Sequence, residues 1–446
     1  KGIDASKFYC FMGRVQLVLG GAWRARGSHT RMHQDEEPRR TEIPVLLFMK
    51  MRSCFGTLTT LMLALVAHTQ PVRFEEHTIA SDLSGGYQVI AYDMNHDGKL
   101  DLVAVASGMT ELVWFENPGW QRHVIASNLP HMINCALWDI DGDGIPEIVV
   151  AYEFSMDASK SIGNIALLEH QGDPRQPWKL TAIDKLPTSH RLRWADVDGS
   201  GRKVLLNAPL TDANARAPEY RGHVPIVYYR PGEWKRILVS DAEEGVLHGI
   251  YVTDWDHNGR DEFLSAGFLG VHLYKFGKDG KWSRTGIAMG DTAPWPKSGS
   301  SDVAVGQWGK ERFIAAIEPW HGNQVVVYRK SGKAWNREVI DDSILDGHTI
   351  VTADLAGDGR DRIVAGFRGK PYGVYLYTFD GKKWNRQIVD QGGVSAAACV
   401  AADLDGDGTP DLACIGGATH NLKWYRVVTS PPLRARREAS HPQADR

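Results

Sequence analysis

A surplus of positive charge, a cysteine framework and helical periodicity are all missing from this 446-residue sequence. Residues 1–69 hold 10 Lys/Arg and 5 Asp/Glu of the chain's 51 and 54, so the remainder is acidic by eight charges. No basic stripe interrupts that remainder, which argues against a nucleic-acid partner. Of five cysteines only Cys135, Cys399 and Cys414 follow residue 69, too few for a disulfide framework. Cys399 and Cys414 fall on adjacent strands of one hairpin; a bond between them is open, but two small buried core residues are the favoured reading. Also absent are a Ser nucleophile elbow, a Gly-rich phosphate loop and a CxxC pair. The apolar run 54–67 is short for a bilayer. With Met49 or Met51 before it and Lys50 and Arg52 flanking, it reads as a signal peptide over 49–69. That reading gives a secreted or periplasmic protein with no stable membrane span after cleavage; a membrane anchor is the rival. Residues 1–48 are expected to be an unfolded upstream extension, and 429–446 a disordered tail.

What is present is a repeat. The pattern D-x-[D/N]-x-[D/N]-G-x-x-[D/E] occurs with Asp93, Asn95, Asp97 and Asp101; with Asp139, Asp141, Asp143 and Glu147; with Asp254, Asp256, Asn258 and Glu262; and with Asp403, Asp405, Asp407 and Asp411. Oxygen ligands at alternate positions, with glycine at the turn, suit a hard cation, so up to four structural calcium ions are expected. The copy at Asp196 has Ser200 and Val204, and the copy at Asp354 has Ala356 and Arg362. A fifth-blade copy over 302–306 has no ligand set. These incomplete copies, in blades three, five and six, are read as places where the scaffold tolerates loss.

Each repeat runs apolar strand, acidic loop, second strand, variable loop, third strand and a fourth strand announced by tryptophan. Those tryptophans are Trp120, Trp178, Trp234, Trp282, Trp335 and Trp384, six against seven first strands. The missing fourth strand is supplied from 73–80, which repeats the pattern of 121–126. An all-β, seven-bladed β-propeller over 70–428 follows, its N-terminal strand completing the last blade. These blades resemble the FG-GAP/VCBS repeats of integrin-α-type propellers.

The acidic loops lie on the bottom face, so chemistry is expected at the top, where first strands begin around the channel. Six residues before each loop's first acid stand Tyr87, Ile133, His190, His248, Ser300, His348 and Ala397, with His131 two places further back in blade two. Loops between second and third strands add His321 and His420, and Glu318 precedes His321. Arg191 and Arg193 flank this set, and Glu153 and Tyr220 lie on long top loops. Unlike residues at equivalent places around one axis suggest a grafted site. Histidine both titrates near neutral pH and binds transition metals. His190, His248, His348, His321, Tyr87, Arg191 and Arg193 are therefore the candidate catalytic residues, with His131, Glu318 and His420 as supporting or substrate contacts.

Two chemistries combine here: a divalent metal held by imidazoles, and proton abstraction by His or Tyr with Arg stabilising the enolate-like intermediate. The rim histidines and the 318–324 segment resemble the propeller domain of aldos-2-ulose dehydratase and propeller lyases that cleave rhamnosyl-glucuronate linkages. That resemblance implies a secreted carbohydrate lyase or dehydratase acting on a uronate or keto-sugar. The alternatives are a calcium-stiffened module that binds protein or glycan without turnover, and a purely structural cell-surface repeat. Oligomeric state is not legible.

Overall fold

The computed structural model describes residues 71–428; the expected upstream extension, signal peptide and tail lie outside the described residues. The described residues form 28 strands and no helix. They assemble as seven four-stranded antiparallel sheets. Blades one to six occupy 86–126, 134–185, 189–244, 247–288, 302–341 and 347–391. Blade seven joins 396–428 to Arg73–Ala80, which pairs with Leu422–Val428, Arg73 opposite Val428. Each first strand packs beside the next, and Gly86–Tyr92 against Ala396–Ala402 closes the ring. The expected propeller and its N-terminal closure are what the chain forms.

Burial explains the sequence pattern. Second strands such as Asp101–Ala106 and Val204–Pro209 are buried at every position, because neighbouring blades cover both faces. Such strands read as continuous apolar runs. Fourth strands such as Lys179–Lys185 lie at the outer edge and are mostly exposed. The apolar clusters span pairs of blades: Val103 and Trp114 of blade one pack with Ile148 and Leu168 of blade two.

Polar anchors recur between blades. A tyrosine on the third strand donates to a carboxylate on the preceding blade's fourth strand, and a cation of its own blade closes the triad. Tyr229 reaches Asp184 at 2.7 Å with Arg236, Tyr377 reaches Asp341 at 2.8 Å with Arg386, and Tyr425 reaches Asp390 at 2.7 Å with Lys423. Tyr274 donates to Glu243 at 2.7 Å, with Arg284 at 3.2 Å. Glu318 plays this part in blade five, receiving Tyr328, Ser300 at 2.9 Å and Arg337 at 2.8 Å. Glu318 is thus engaged in an inter-strand anchor, with no contact to the rim histidines among these bonds.

One anchor sets a pH dependence. Burial alone would raise Glu243, but His272 and Arg284 outweigh it and hold the carboxyl at about 2. A depressed carboxylate stabilises the fold above its unfolded value and loses that contribution as pH falls toward the folded one. Glu243→Gln should therefore cost about 2 kcal/mol at neutral pH, the amide retaining part of the bonding. Urea titrations should show the gap to the parent closing between pH 4.5 and about 2; a gap constant across that window would refute the assignment.

In the acidic loops the first acid caps the turn. Asp93 accepts from the amides of Asp97 and Gly98, and Asp139, Asp254 and Asp403 repeat this with their own loops. The turn glycines are left-handed, at φ 84° for Gly98 and 93° for Gly144, which is why glycine recurs there. The closing acid folds back on the amide after the first: Asp101 on Met94 at 2.9 Å, Glu147 on Ile140 at 2.7 Å and Glu262 on Trp255 at 2.8 Å.

Blade six does not fit the reading of tolerated loss. Its loop keeps Asp354 and Asp358 and places Arg362, 3% exposed in its side chain, at the closing position. The guanidinium donates to Asp354 at 3.3 Å, to both oxygens of Asp358 at 2.6 and 2.9 Å, and to the Arg360 carbonyl at 2.6 Å. The loop carries its own cation.

The favoured reading of the cysteines is also corrected. Cys399 and Cys414 form a disulfide. They are direct cross-strand partners with Cα atoms 4.1 Å apart, a separation that brings facing side chains close enough to bond. Cys135 is free and buried.

Candidate functional site

The channel rim is built by β-bulges. In blades one, three, four, six and seven the first strand slips register around a single residue: Tyr87, His190, His248, His348 and Ala397. A bulge leaves one residue unpaired and re-aims its side chain, here into a common space. Blade five is displaced by one position relative to the sequence count. His348 faces the carbonyl of Ala397, and His248 correspondingly faces that of Ser301. Ser301 rather than Ser300 is therefore the rim residue, and Ser300 serves the Glu318 anchor.

In blades one, two, five and six the next residue on the first strand ties neighbouring blades together. Gln88 accepts from Cys135 N, Asn134 from Leu192 N, Asp302 from Ile350 N and Thr349 from Cys399 N. Arg191 breaks this ring. It turns to the rim, where Nη1 lies 3.1 Å from His190 Nε2 and Nη2 lies 3.5 Å from His248 Nε2. Arg193, two residues on and so one step deeper on the same face, donates instead to Asn134 and to the Leu192 carbonyl.

Four of the six rim histidines converge. Ring centroids are 5.0 Å apart for His190–His248, 5.0 Å for His248–His321, 4.9 Å for His248–His348 and 5.2 Å for His321–His348. His321 arrives from its loop at φ 50°. The turn beneath it requires Gly322, where a Cβ would lie 2.3 Å from the Glu318 carbonyl. His131 and His420 are exposed and stand apart, His420 accepting from Gly85 N at 3.1 Å. Glu153 pairs with Asn164, and Tyr220 packs edge-on to Trp320.

Hydrogen bonding assigns the ring nitrogens. A carbonyl only accepts, so His248 Nδ1 donates to Ser301 at 3.1 Å and His348 Nδ1 donates to Ala397 at 2.6 Å. Each then presents an Nε2 lone pair. His190 Nε2 faces two donors, the Tyr87 hydroxyl at 2.7 Å and Arg191, and is an acceptor. Burial, reinforced by Arg191 for His190 and His248 and by Arg368 for His348, holds all three far below the usual imidazole range. Burial and Arg368 hold His321 at about 3 against the opposing pull of Asp346. All four are neutral.

The set fits a metal ion. One ring nitrogen from each of His248, His321 and His348 lies within 4.8 Å of the others. Nε2 of both His321 and His348 is buried without a partner. Neutral imidazoles fixed through Nδ1 to a carbonyl, as His248 and His348 are, give the donor arrangement of a transition-metal centre, and His321 joins them in the tautomer whose Nδ1 proton faces Asp346 at 3.4 Å. Of the four full acidic loops, Asp139, Asp141 and Glu147, and Asp403, Asp405 and Asp407, also bring three oxygens within that distance.

Arg191 is 7% exposed and has no carboxylate within ion-pairing distance among the described residues. Tyr87, Arg191 and His348 line the central channel, a cavity of about 370 Å³. Position in the repeat did not reveal Arg368, whose Nη2 lies 3.2 Å from His321 Nδ1 and donates to Asp346 at 3.1 Å. It lies on the same kind of top loop as His321, so extending the positional rule to arginine finds it. Phe154, tilted on His190 at 5.6 Å, and Trp320, 4.7 Å from His321, complete the walls.

Residues 162–331 match the β-propeller domain of aldos-2-ulose dehydratase, and residues 93–150 and 354–414 match the FG-GAP-like repeat. Aldos-2-ulose dehydratase of Phanerodontia chrysosporium is 25% identical over 318 residues, 64% of this chain and 34% of that protein. The chain thus spans about a third of the length of the curated relative it matches. The extracellular domain of a hybrid two-component system from B. thetaiotaomicron superposes with a TM-score of 0.52 at 11% identity, over 81% of this chain and 40% of that one. An exotype rhamnogalacturonan lyase gives 0.46 at 13% identity, over 78% and 72%. The chain is a seven-bladed β-propeller with FG-GAP-like repeats, its central portion similar to the propeller domain of aldos-2-ulose dehydratase.

Proposed function

We propose that this propeller is a secreted carbohydrate lyase or dehydratase whose site is the rim cluster. The observation that carries the reading is the linked set Tyr87–His190–Arg191: a proton-transfer pair bonded to a buried cation that makes no direct ion pair, the buried Asp302 acting on it only through space. A buried charge is best served by a partner in contact, and an anionic sugar group, or the oxyanion that develops during elimination, supplies the direct partner that Arg191 lacks. The similarity to a sugar dehydratase supports the same class of substrate.

The residues divide the work of a β-elimination. Tyr87 takes the proton from the carbon alpha to a carboxylate or ketone while passing its own to His190. The C–H electron pair becomes the new C=C bond as the β C–O bond breaks, and the departing oxygen takes up a proton through the same pair. Arg191, with Arg368 across the cluster, stabilises the negative charge on the activating group. His248, His321 and His348 would hold a divalent metal, which supplies Lewis-acid polarisation of a carbonyl or carboxylate oxygen. Calcium in the acidic loops has a separate, structural part. Burial lifts Asp101 and Glu147 to about 7, with neighbouring acids adding to the effect, so a cation beside them relieves a strained charge set. The Cys399–Cys414 bond supports an oxidising, extracytoplasmic location.

The test is His248→Ala and His348→Ala against Asp141→Ala, scored by metal analysis and by ultraviolet absorbance of unsaturated sugar on uronate oligomers and keto-sugars. Both histidine variants should lose a transition metal and turnover together, and Asp141→Ala should keep both. Turnover undiminished in the two histidine variants would sink the reading. Calcium as the sole bound metal, with no turnover on either sugar class, would mean a binding module.

A further inference from the structure

Blade five lost its acidic loop and gained something else. Its short turn between first and second strands carries Lys310, with Arg312 just inside the second strand, and Arg329 and Lys330 stand at the end of the third strand beside it. Together with Trp255 of blade four's loop and Trp335 they line a cleft of about 350 Å³. Glu311 is the one acid lining it.

This is a local inversion of charge in a chain that is otherwise acidic by eight charges after residue 69. The cations are largely uncommitted. Lys310 and Lys330 are exposed and make no ion pair among the described residues, while Arg329 reaches Glu338 at 3.8 Å and lies 5.0 Å over the Phe379 ring. Arg312 sits deeper, 4.4 Å over the Trp255 ring and bonded to His257 at 2.8 Å, where it answers Asp256 and fixes the cleft wall. Three solvent-facing cations around one concavity outnumber Glu311 within it and leave the cleft positive. Two indoles in the same cleft, their centroids 5.8 Å apart, add flat apolar surface. Several cations beside aromatic surface able to pack on the C–H face of a sugar ring suit an acidic carbohydrate.

We propose that this blade-five cleft is a binding site for an anionic polysaccharide, separate from the rim cluster. It holds whether or not the rim cluster is catalytic. The probe is a galacturonic acid oligomer, with its methyl ester and a single-stranded oligonucleotide of equal charge for comparison, titrated by calorimetry into the full chain. Lys310→Glu/Lys330→Glu and Trp335→Ala are the variants, with folding checked by circular dichroism. The lysine double variant should bind the acidic oligomer about tenfold or more weakly, and parental binding should weaken with salt. The ester should not bind at this site. Unchanged affinity in the lysine double variant would overturn the proposal. So would parental binding of the oligonucleotide tighter than of the uronate, which would mean a nucleic-acid surface. Because the readout is binding and the residues lie outside the rim, failure here leaves the elimination reading untouched, and failure of elimination leaves this one standing.

Discussion

Tyr87→Phe should lower elimination turnover by about two to four orders of magnitude, the range a positioned acid–base group contributes. Metal content should be unchanged, because Tyr87 is not among the three histidines whose ring nitrogens converge. The substitution removes one hydroxyl, whose recorded partner is His190 Nε2 at 2.7 Å. The ring itself remains, and with it the edge contact to His348 at 5.3 Å. His190→Ala should fall at least as far, since Tyr87 then has no base to receive its proton. The informative quantity is the division between kcat and KM. A proton-transfer role depresses kcat with little change in KM, whereas a lost binding contact raises KM. Equal turnover in Tyr87→Phe and the parent would remove Tyr87 from the chemistry and leave His190 or a metal-held group as the base.

The second large effect is on stability. Arg362→Ala should cost about 2 kcal/mol, because charge-assisted bonds of a buried guanidinium are lost while water partly relieves Asp354 and Asp358, which are 23% and 36% exposed. Here two acids, Asp354 and Asp358, would face each other without the guanidinium that bridges them. The effect should be insensitive to chelator in the parent, since the cation is part of the chain. Ala356→Asp/Arg362→Asp would restore four carboxylates at the ligand positions of the full loops. That variant should melt lower than the parent without calcium and recover with it, while the parent's blade six gains nothing from the ion. A loss below about 1 kcal/mol in Arg362→Ala would show that the loop does not need its cation.

The fold was legible because two signals are local and recur in six copies each: the aspartate-rich turn, full or incomplete, and the tryptophan that opens the fourth strand. Counting them gave the blades and the closing strand. The site was legible only so far as the repeat frame held. His190, His248 and His348 were found because the bulge falls at the same count before each full or partial acidic loop. Blade five has no such loop to count from, so the frame slipped by one residue and Ser300 stood in for Ser301. Glu318 looked like a site residue because it lies close in sequence to His321, yet strand alternation and the turn send the two side chains to different places. Arg362 looked like decay because a ligand pattern registers only carboxylates, and a guanidinium doing a cation's work has the opposite sign. Arg191 and Arg193 are indistinguishable by position; one further step along the strand separates a rim contact from a wall tie.

The closure of blade seven bears on how the molecule reaches this state. Lys423 bonds Glu76 across 347 residues of chain, and Arg73–Ala80 finds its partner only after Leu422–Val428 exists and the ring has drawn its ends together. Contacts of such sequence separation form slowly. In the interval Leu422–Val428 is an unpaired edge bearing Leu422, Tyr425 and Val427, all destined for burial. That edge is a template for pairing with another chain. The strand synthesised first is therefore the one used last, and conditions that delay its docking should divert the protein into aggregates while six complete blades are already in place.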